Sequence, residues 1–587
     1  MKSRWTLAPP QPLLAEPLAR ELGLSPLMIQ CLLNRGQSDA ASIRQFLGPR
    51  LRQLADPFLL PDMDRAVDRL RLARERAEPL VIFGDYDVDG VTSTALLHEV
   101  LSSLGWTVHP YLPHRMDEGY GLTRDAVENC LNKFPVKLLL AVDCGSTAVE
   151  TIAWLRERGV DVIVLDHHQV SSPPPGAVAL VNPQRRGEQP DFHELCSAGL
   201  AFKLAHALVK RARELGLPGA DAFDVRPLLD LVALGTIADL VPLRHENRIL
   251  ITAGLERLNA TPRPGLVALK RVAQVREPVG TYDVGFQLGP RLNAAGRLET
   301  ATAALDLLLA PDLATAEPLA RGLDARNRER QQIERAIADD VTGAVRARFN
   351  PETDFVIVEG QLLWHIGVVG IVASRVQRAF HRPTIILGGD AHEWRGSGRS
   401  IEGFDLAAAL RECDDLLARH GGHAMAAGLS LKPSNVDALR ARLNELARRA
   451  LTAEQLQPEV RLDAETSLGE LSLGQLAELE RLQPTGQANP AVSLVARNLS
   501  LARPVFRMGG EKQHARLHVT DGRDTRQAVM WNVADPELPA GRFDLAFSPQ
   551  INEFNGTRTV QLKVLDWREA RASGDRGFSS AASRVVL

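Results

Sequence analysis

Acidic residues stand at every second position in Phe83-Gly84-Asp85-Tyr86-Asp87-Val88-Asp89-Gly90. Alternate side chains of an extended segment face the same way, so Asp85, Asp87 and Asp89 can converge. Carboxylates that close repel one another unless a cation neutralises them. A solvated acidic turn or a calcium loop would also show such spacing, although the glutamate that closes a calcium loop is missing here. Three further stretches offer the same chemistry: Ala141-Val142-Asp143-Cys144-Gly145-Ser146, Val164-Leu165-Asp166-His167-His168 and Ala233-Leu234-Gly235-Thr236-Ile237-Ala238-Asp239. Each places an acid or imidazole directly after an apolar run. Parallel neighbours lie about 4.8 Å apart, so groups at equivalent strand ends can meet around ions that take oxygen and nitrogen ligands.

The elements that must position these groups are legible as apolar runs. PLVIF (79–83), KLLLAV (137–142), VDVIVL (160–165) and ALVN (179–182) have strand length and alternate with amphipathic stretches, the pattern of a parallel sheet with helices on both faces. Open sheets of this kind bind ligands outside the carboxyl ends of their strands. Residues 313–348 are polar and strongly helix-forming after Pro318, which predicts a long helix between domains. A second α/β pattern follows, with strands at 355–360 and 383–389 and helices at about 366–380 and 435–450. From about residue 490, alternating strands with Gly, Asp and Asn turns fit a small antiparallel barrel. Residues 490–587 hold 14 Lys or Arg against 10 Asp or Glu, compatible with a groove for single-stranded nucleic acid. The expected division is an N-terminal arm (1–49), a catalytic α/β domain (50–312), a linker helix (313–348), a smaller α/β domain (349–455), a barrel (456–569) and a flexible tail (570–587).

The order DYDVDG, VDCGS, LDHH and GTIAD resembles the motifs of the DHH phosphoesterases. LGPRLNAAGR (288–297), WHIGVVGIVASR (364–375), GSGRS (396–400) and GGHAMAAG (421–428) resemble the RecJ family within that superfamily. The likeness covers about residues 50–567. It implies a DHH domain, a DHHA1 domain and an oligonucleotide-binding (OB-fold) barrel, and a single-stranded-DNA-specific 5′-3′ exonuclease that releases 5′-mononucleotides in recombination and repair. Carried over by motif, Asp87, Asp89, Asp143, His167 and Asp239 are expected metal ligands, with Asp143 bridging two ions and Asp85 at the site. His168 is expected at the scissile phosphate. Arg115, Arg291, Ser397, Gly398 and Arg399 are expected to hold a terminal 5′ phosphate, and Trp364, His365 and His423 to meet the DNA. Mn²⁺ or Mg²⁺ suits a carboxylate-rich site with imidazole. Phe83 stands where some members have His, which leaves the second ion one ligand fewer. The family further implies single-strand DNA-binding protein and a RecQ-type helicase as partners, and a monomer.

Composition narrows the rest. Hydrophobic residues make up 45% and charged residues 24% of 587, the balance of a folded chain with several cores. Five scattered cysteines argue against a disulfide framework or a thiolate zinc site. No run of about 18 apolar residues occurs and the first 20 residues lack a secretory pattern, so the expected location is the cytoplasm. The net charge of −3 excludes global attraction to nucleic acid but not a local groove. Of the 69 basic residues 60 are arginine, whose planar fork suits phosphate oxygens. Competing readings are another DHH phosphoesterase such as an oligoribonuclease, a non-catalytic replication scaffold, and a nucleic-acid-binding module without hydrolysis. The intact acid and histidine set favours catalysis.

Overall fold

The computed structural model describes residues 3–570 apart from Met116, 186–191, Pro218, Glu299 and 534–536. The expected tail lies outside the described residues from 571 onward. The chain forms two compact units, one of residues 49–456 with 484–489, the other of 1–48, 457–483 and 490–587.

The first unit contains two α/β sheets. One is wholly parallel and runs, edge to edge, Val108–Tyr111, Leu80–Phe83, Leu138–Val142, Asp161–Leu165, Ala179–Val181. Its three inner strands are almost entirely buried, which is why they read as unbroken apolar runs. The Val108–Tyr111 strand was not expected from sequence. Its VHPY contains a proline, tolerated here because the strand lies at the sheet edge, where a missing N–H costs no ladder bond. Against the sheet pack the helices Val88–Ser103 and Ser197–Glu214, and on these two in turn packs Leu229–Ala238. The last is buried without interruption from Leu229 to Ile237, as expected of a helix apolar all round.

The helix Leu313–Arg348 runs 36 residues with Pro318 inside its second turn, and Asp312 caps its start through the Thr315 amide. It leads to a sheet ordered Arg419–His423, Ala426–Leu431, Trp394–Arg399, Thr384–Gly389, Ile357–Leu362, in which only the last pair is parallel. Helices Val369–Phe380 and Val436–Ala450 cover it. Ile337, Val341 and Val345 of the long helix share a core with Val369, Val372 and Ile386, fixing this sheet to the linker.

The second unit is built on a seven-stranded sheet that partly closes on itself, because Leu494–Leu501 pairs both with Phe543–Phe554 and, at its far end, with His514–Thr520. That is the expected barrel. The residues set apart as an arm belong to this same unit. Arg4–Leu7 pairs in parallel with Glu459–Leu462, and Arg35 forms a 3.0 Å ion pair with Asp463. Met28, Ile29 and Leu32 of the helix Pro26–Leu33 are wholly buried in one core with Leu494, Leu517 and Phe543. Each such side chain contributes about 1.5–3 kcal/mol by leaving water. All five cysteines are buried and free, and no helix among the described residues is long and apolar enough to cross a membrane.

Candidate active site

The three alternating acids do converge, though not as one extended strand. The strand ends at Phe83, Asp87 is the N-cap of the next helix, accepting the Gly90 amide at 3.0 Å, and Asp89 lies in that helix's first turn. The strand-to-helix corner sends the side chains two ways. Asp85 and Asp87 share one ligand cluster with Asp143, whereas Asp89 joins His167 and Asp239 in another; Asp143, His167 and His168 make a third. In each cluster the donor atoms lie within 4.8 Å of one another. Asp143 and His167 each belong to two clusters, which places them centrally. Phe83 is fully buried and stacks on Tyr111, 5.3 Å between centroids.

Close helix packing brings the groups together. Gly235 lies where a Cβ would stand 2.5 Å from Thr92 Oγ1, 2.6 Å from Ala198 Cβ and 2.8 Å from Asp89 Oδ1, so only glycine lets these helices meet at the acids. Both oxygens of Asp89 accept backbone amides at the start of the helix Ser197–Glu214, from Ser197 at 2.7 Å and Ala198 at 2.8 Å. A helix N-terminus is a natural seat for a carboxylate. Asp239 has the opposite placement, at the carboxyl end of Leu229–Ala238, where the dipole disfavours an anion. Asp143 adopts a left-handed φ of 64°, a strained conformation for a residue with a Cβ, and its Oδ1 accepts the Ser197 hydroxyl at 2.9 Å. That same oxygen is 3.4 Å from His167 Nε2.

The resulting field is unbalanced in a way that calls for a cation. Burial and neighbouring acids push Asp85 and Asp143 well above the usual carboxylate range. Burial, with the charges of Asp89 and Asp87, raises Asp239 to about 9, and burial with Asp87 raises Asp89 to about 6 despite its amide bonds. His167 is lowered to about 4 by burial and the charge of His168, which leaves a neutral imidazole able to bind a metal. His168 behaves oppositely. Burial alone would discharge it, but Asp166, 2.7 Å from its Nδ1, and the surrounding acids raise it to about 9. Asp166 is held below the usual range against its own burial by bonds from His168 and Ser146. Asp85 Oδ1 and His167 Nε2 are buried without a hydrogen-bond partner among the described residues. Buried polar atoms are rarely left so, and two orphans inside ligand clusters fit a divalent ion.

Beside the acids lies a pocket of arginines. Arg115 rests 5.0 Å from the centroid of the Tyr86 ring. Arg399 is half-buried, bonds to Ser397 Oγ and the Gly398 carbonyl at 2.8 Å each, and is lowered by burial and by Arg115. Arg297, absent from the expected site residues, is nearly buried; burial and the charges of Arg115, Arg330 and Arg399 lower it to about 10. Like charges gathered in one partly buried place make an anion site. Arg291 is placed elsewhere: its guanidinium pairs with Asp324 at 2.9 Å and bonds to the Gln287 carbonyl.

A cleft of about 1080 Å³ has Tyr120, Asp166 and His168 on one wall and Arg395, Arg419 and His423 on the other. Tyr120 Oη lies 3.2 Å from His168 Nε2. His365 accepts the Gly367 amide at 3.2 Å, and Trp364 packs at the edge of the core shared with the linker helix. Sequence reasoning also missed Ser197, Tyr120 and Asn293, whose Oδ1 accepts the Val88 amide at 3.2 Å. Arg297 and Asn293 stood within the LGPRLNAAGR stretch already singled out; Ser197 has no local signal at all.

The parallel sheet, with acids and histidines at its strand ends facing a second α/β domain, defines a DHH-type protein. Family models agree: the DHH family N-terminal domain matches residues 79–236, the DHHA1 domain 353–449 and the RecJ OB domain 462–566. The single-stranded-DNA-specific exonuclease RecJ of Bacillus subtilis is 38% identical over 596 residues, spanning 100% of this chain and 74% of that protein. The RecJ of Escherichia coli is 35% identical over 578 residues, 92% of this chain and 95% of the relative. A crystal structure of RecJ from Thermus thermophilus in complex with Mn²⁺ superposes with a TM-score of 0.83 at 31% identity, covering 97% of this chain and 80% of that one. The chain belongs to the RecJ family.

Proposed function

We propose that this protein is a metal-dependent exonuclease that hydrolyses single-stranded DNA from its 5′ end and releases 5′-mononucleotides. The observation that carries the reading is the sharing of Asp143 and His167 between ligand clusters that contain two orphaned buried atoms, next to a pocket of partly buried arginines. Asp85, Asp87 and Asp143 would hold one Mn²⁺ or Mg²⁺ ion, and Asp89, His167 and Asp239 with Asp143 a second. When bound, such ions supply a water of lowered pKa and positive charge against the phosphoryl oxygens. Relatives crystallised with Mn²⁺ and with Mg²⁺ support this choice.

Asp166, 2.7 Å from Nδ1, fixes the ring of His168 and favours its protonated form, from which Nε2 can donate to a phosphate oxygen. Arg115, Arg399, Ser397 and Gly398, joined by Arg297 and Arg330, would take the terminal 5′ phosphate and so set polarity. Arg291 acts on this pocket from behind, by holding Asp324 of the linker helix. His365 and His423 face the strand from the second domain, and Trp364 supports them by packing. The protein works in the cytoplasm as a monomer in recombination and repair, alongside a single-strand DNA-binding protein and a RecQ-type helicase.

The test is digestion of single-stranded, duplex and RNA oligonucleotides labelled at either end, with Mn²⁺, Mg²⁺ or chelator, by the wild type and Asp143→Ala. Mononucleotides should leave single-stranded DNA from the 5′ end, only with metal and only with Asp143. Release from the 3′ end first, or undiminished cleavage by a folded Asp143→Ala protein, would overturn the reading.

A further inference from the structure

Asp143 stands in two of the three ligand clusters, and little fixes its carboxylate. The residue follows the buried strand Leu138–Val142 with φ 64°, and Gly145 just beyond has φ 107°, so the backbone under the side chain bends sharply. The Asp143 amide is tied to the Leu165 carbonyl at 3.0 Å. Among the described residues one hydrogen bond reaches the carboxylate itself, donated to Oδ1 by the Ser197 hydroxyl at 2.9 Å. The nearest imidazole nitrogens stand farther from that oxygen, His167 Nε2 at 3.4 Å and His168 Nδ1 at 3.9 Å.

Ser197 is wholly buried at the start of the helix Ser197–Glu214, where Cys196 is the N-cap but lends no side-chain cap. The first amides of a helix need a partner from elsewhere. Asp89 supplies it, accepting the Ser197 and Ala198 amides at 2.7 and 2.8 Å, so capping does not occupy the serine hydroxyl. Serine hydroxyls usually turn to nearby backbone. This one reaches a carboxylate 54 residues away. One residue therefore grips a ligand of each of two clusters: its N–H holds Asp89, which groups with His167 and Asp239, and its Oγ–H holds Asp143, which groups with Asp85 and Asp87. Gly235 lets the helix Leu229–Ala238 close on Ala198 and Asp89 together, which leaves that helix start little room to shift.

From these observations we infer that Ser197 is a positioning residue for the metal centre, whose hydroxyl fixes the rotation of the Asp143 carboxylate while its amide holds Asp89 at a set separation from it. The inference rests on the function proposed above, in which Asp143 serves both ions. The hydroxyl occupies one lone pair of Oδ1 and leaves the rest of the carboxylate open to cations. Without that bond, repulsion from the neighbouring acids would turn the side chain away. Partners behind the ligands set ligand orientation and hence affinity for the ion. A shared carboxylate needs such a partner most, because a rotation that suits one ion misplaces the oxygen offered to the other.

The experiment titrates Mn²⁺ into metal-free wild type, Ser197→Ala and Ser197→Thr by calorimetry, and records the rise in melting temperature that Mn²⁺ gives each protein over its own chelated state. Ser197→Ala keeps the amide on Asp89 and loses only the hydroxyl, so Mn²⁺ affinity should fall about tenfold or more and the metal-dependent rise should shrink. Ser197→Thr keeps the hydroxyl and should bind Mn²⁺ within about threefold of wild type. On 5′-phosphorylated single strands the Mn²⁺ concentration giving half the maximal rate should climb about tenfold in Ser197→Ala, while KM for the strand stays within about twofold. Unchanged Mn²⁺ affinity in Ser197→Ala, equal weakening in the alanine and threonine variants, or a loss carried in KM for the strand would overturn the inference. A wild type that binds Mn²⁺ yet cleaves nothing would overturn the proposed function, and the affinity comparison would still decide the part played by Ser197.

Discussion

Binding of a divalent ion should expel protons, and Asp239 should be one of their sources. At pH 7 a carboxyl raised to about 9 is about 99% protonated, whereas Asp89 at about 6 is only about 10% protonated. Asp85 and Asp143 are shifted the same way and add to the count, while His167, lowered to about 4, is already neutral and adds nothing. Titration calorimetry with Mn²⁺ in buffers of different ionisation enthalpy should therefore show release of about one proton or more per site filled, and affinity should climb about tenfold per pH unit for each proton released. Asp239→Asn carries no titrating proton there, so release should drop by about one and the pH slope should flatten. Stability follows the same sign. These carboxyls bind protons more tightly folded than unfolded, so the chelated protein is stabilised below about pH 4 and loses that contribution as pH rises toward 9. Metal should abolish the loss in thermal unfolding. Proton release near zero in the wild type, or equal in wild type and Asp239→Asn, would refute this account of the acids as a protonated cluster awaiting a cation.

Arg399→Ala and Arg297→Ala should each reduce the preference for 5′-phosphorylated over 5′-hydroxyl ends about tenfold or more, from the loss of a charge-assisted bond, read as kcat/KM on the paired substrates. Arg291→Ala should leave that preference nearer wild type while lowering the melting temperature, because its ion pair is with Asp324. Gly235→Ala forces a methyl into contacts of 2.5–2.8 Å and should cost about 1–3 kcal/mol with weakened Mn²⁺ affinity, measured by denaturant unfolding and calorimetry.

The clustered acids were legible because an apolar run followed by Asp or His marks the carboxyl end of a buried strand, and Asp143 and His167 follow such ends. Asp89 was legible as a residue but not as geometry: its place in a helix depends on Asp87 acting as N-cap, which alternation of acids hides. Ser197 could not be read, since its role depends on a helix start brought to Asp89 from 108 residues away. Arg330 sits on a long polar helix among many arginines, and only packing singles it out. The strand Val108–Tyr111 was hidden by Pro110. The N-terminal helices were visible as helices, but an apolar face does not name its partner, and Met28 gives no hint of the barrel core that receives it.

The pairing of Arg4–Leu7 with Glu459–Leu462 sets an order of events during synthesis. At about 5–20 residues per second, the ribosome needs roughly 20 to 90 s to supply the partner of the first strand. In that interval the catalytic unit emerges all but complete, and the helix bearing Met28, Ile29 and Leu32 waits with its apolar face uncovered. A nascent chain halted before residue 459 would thus present a nearly finished nuclease domain beside a segment that chaperones must shield.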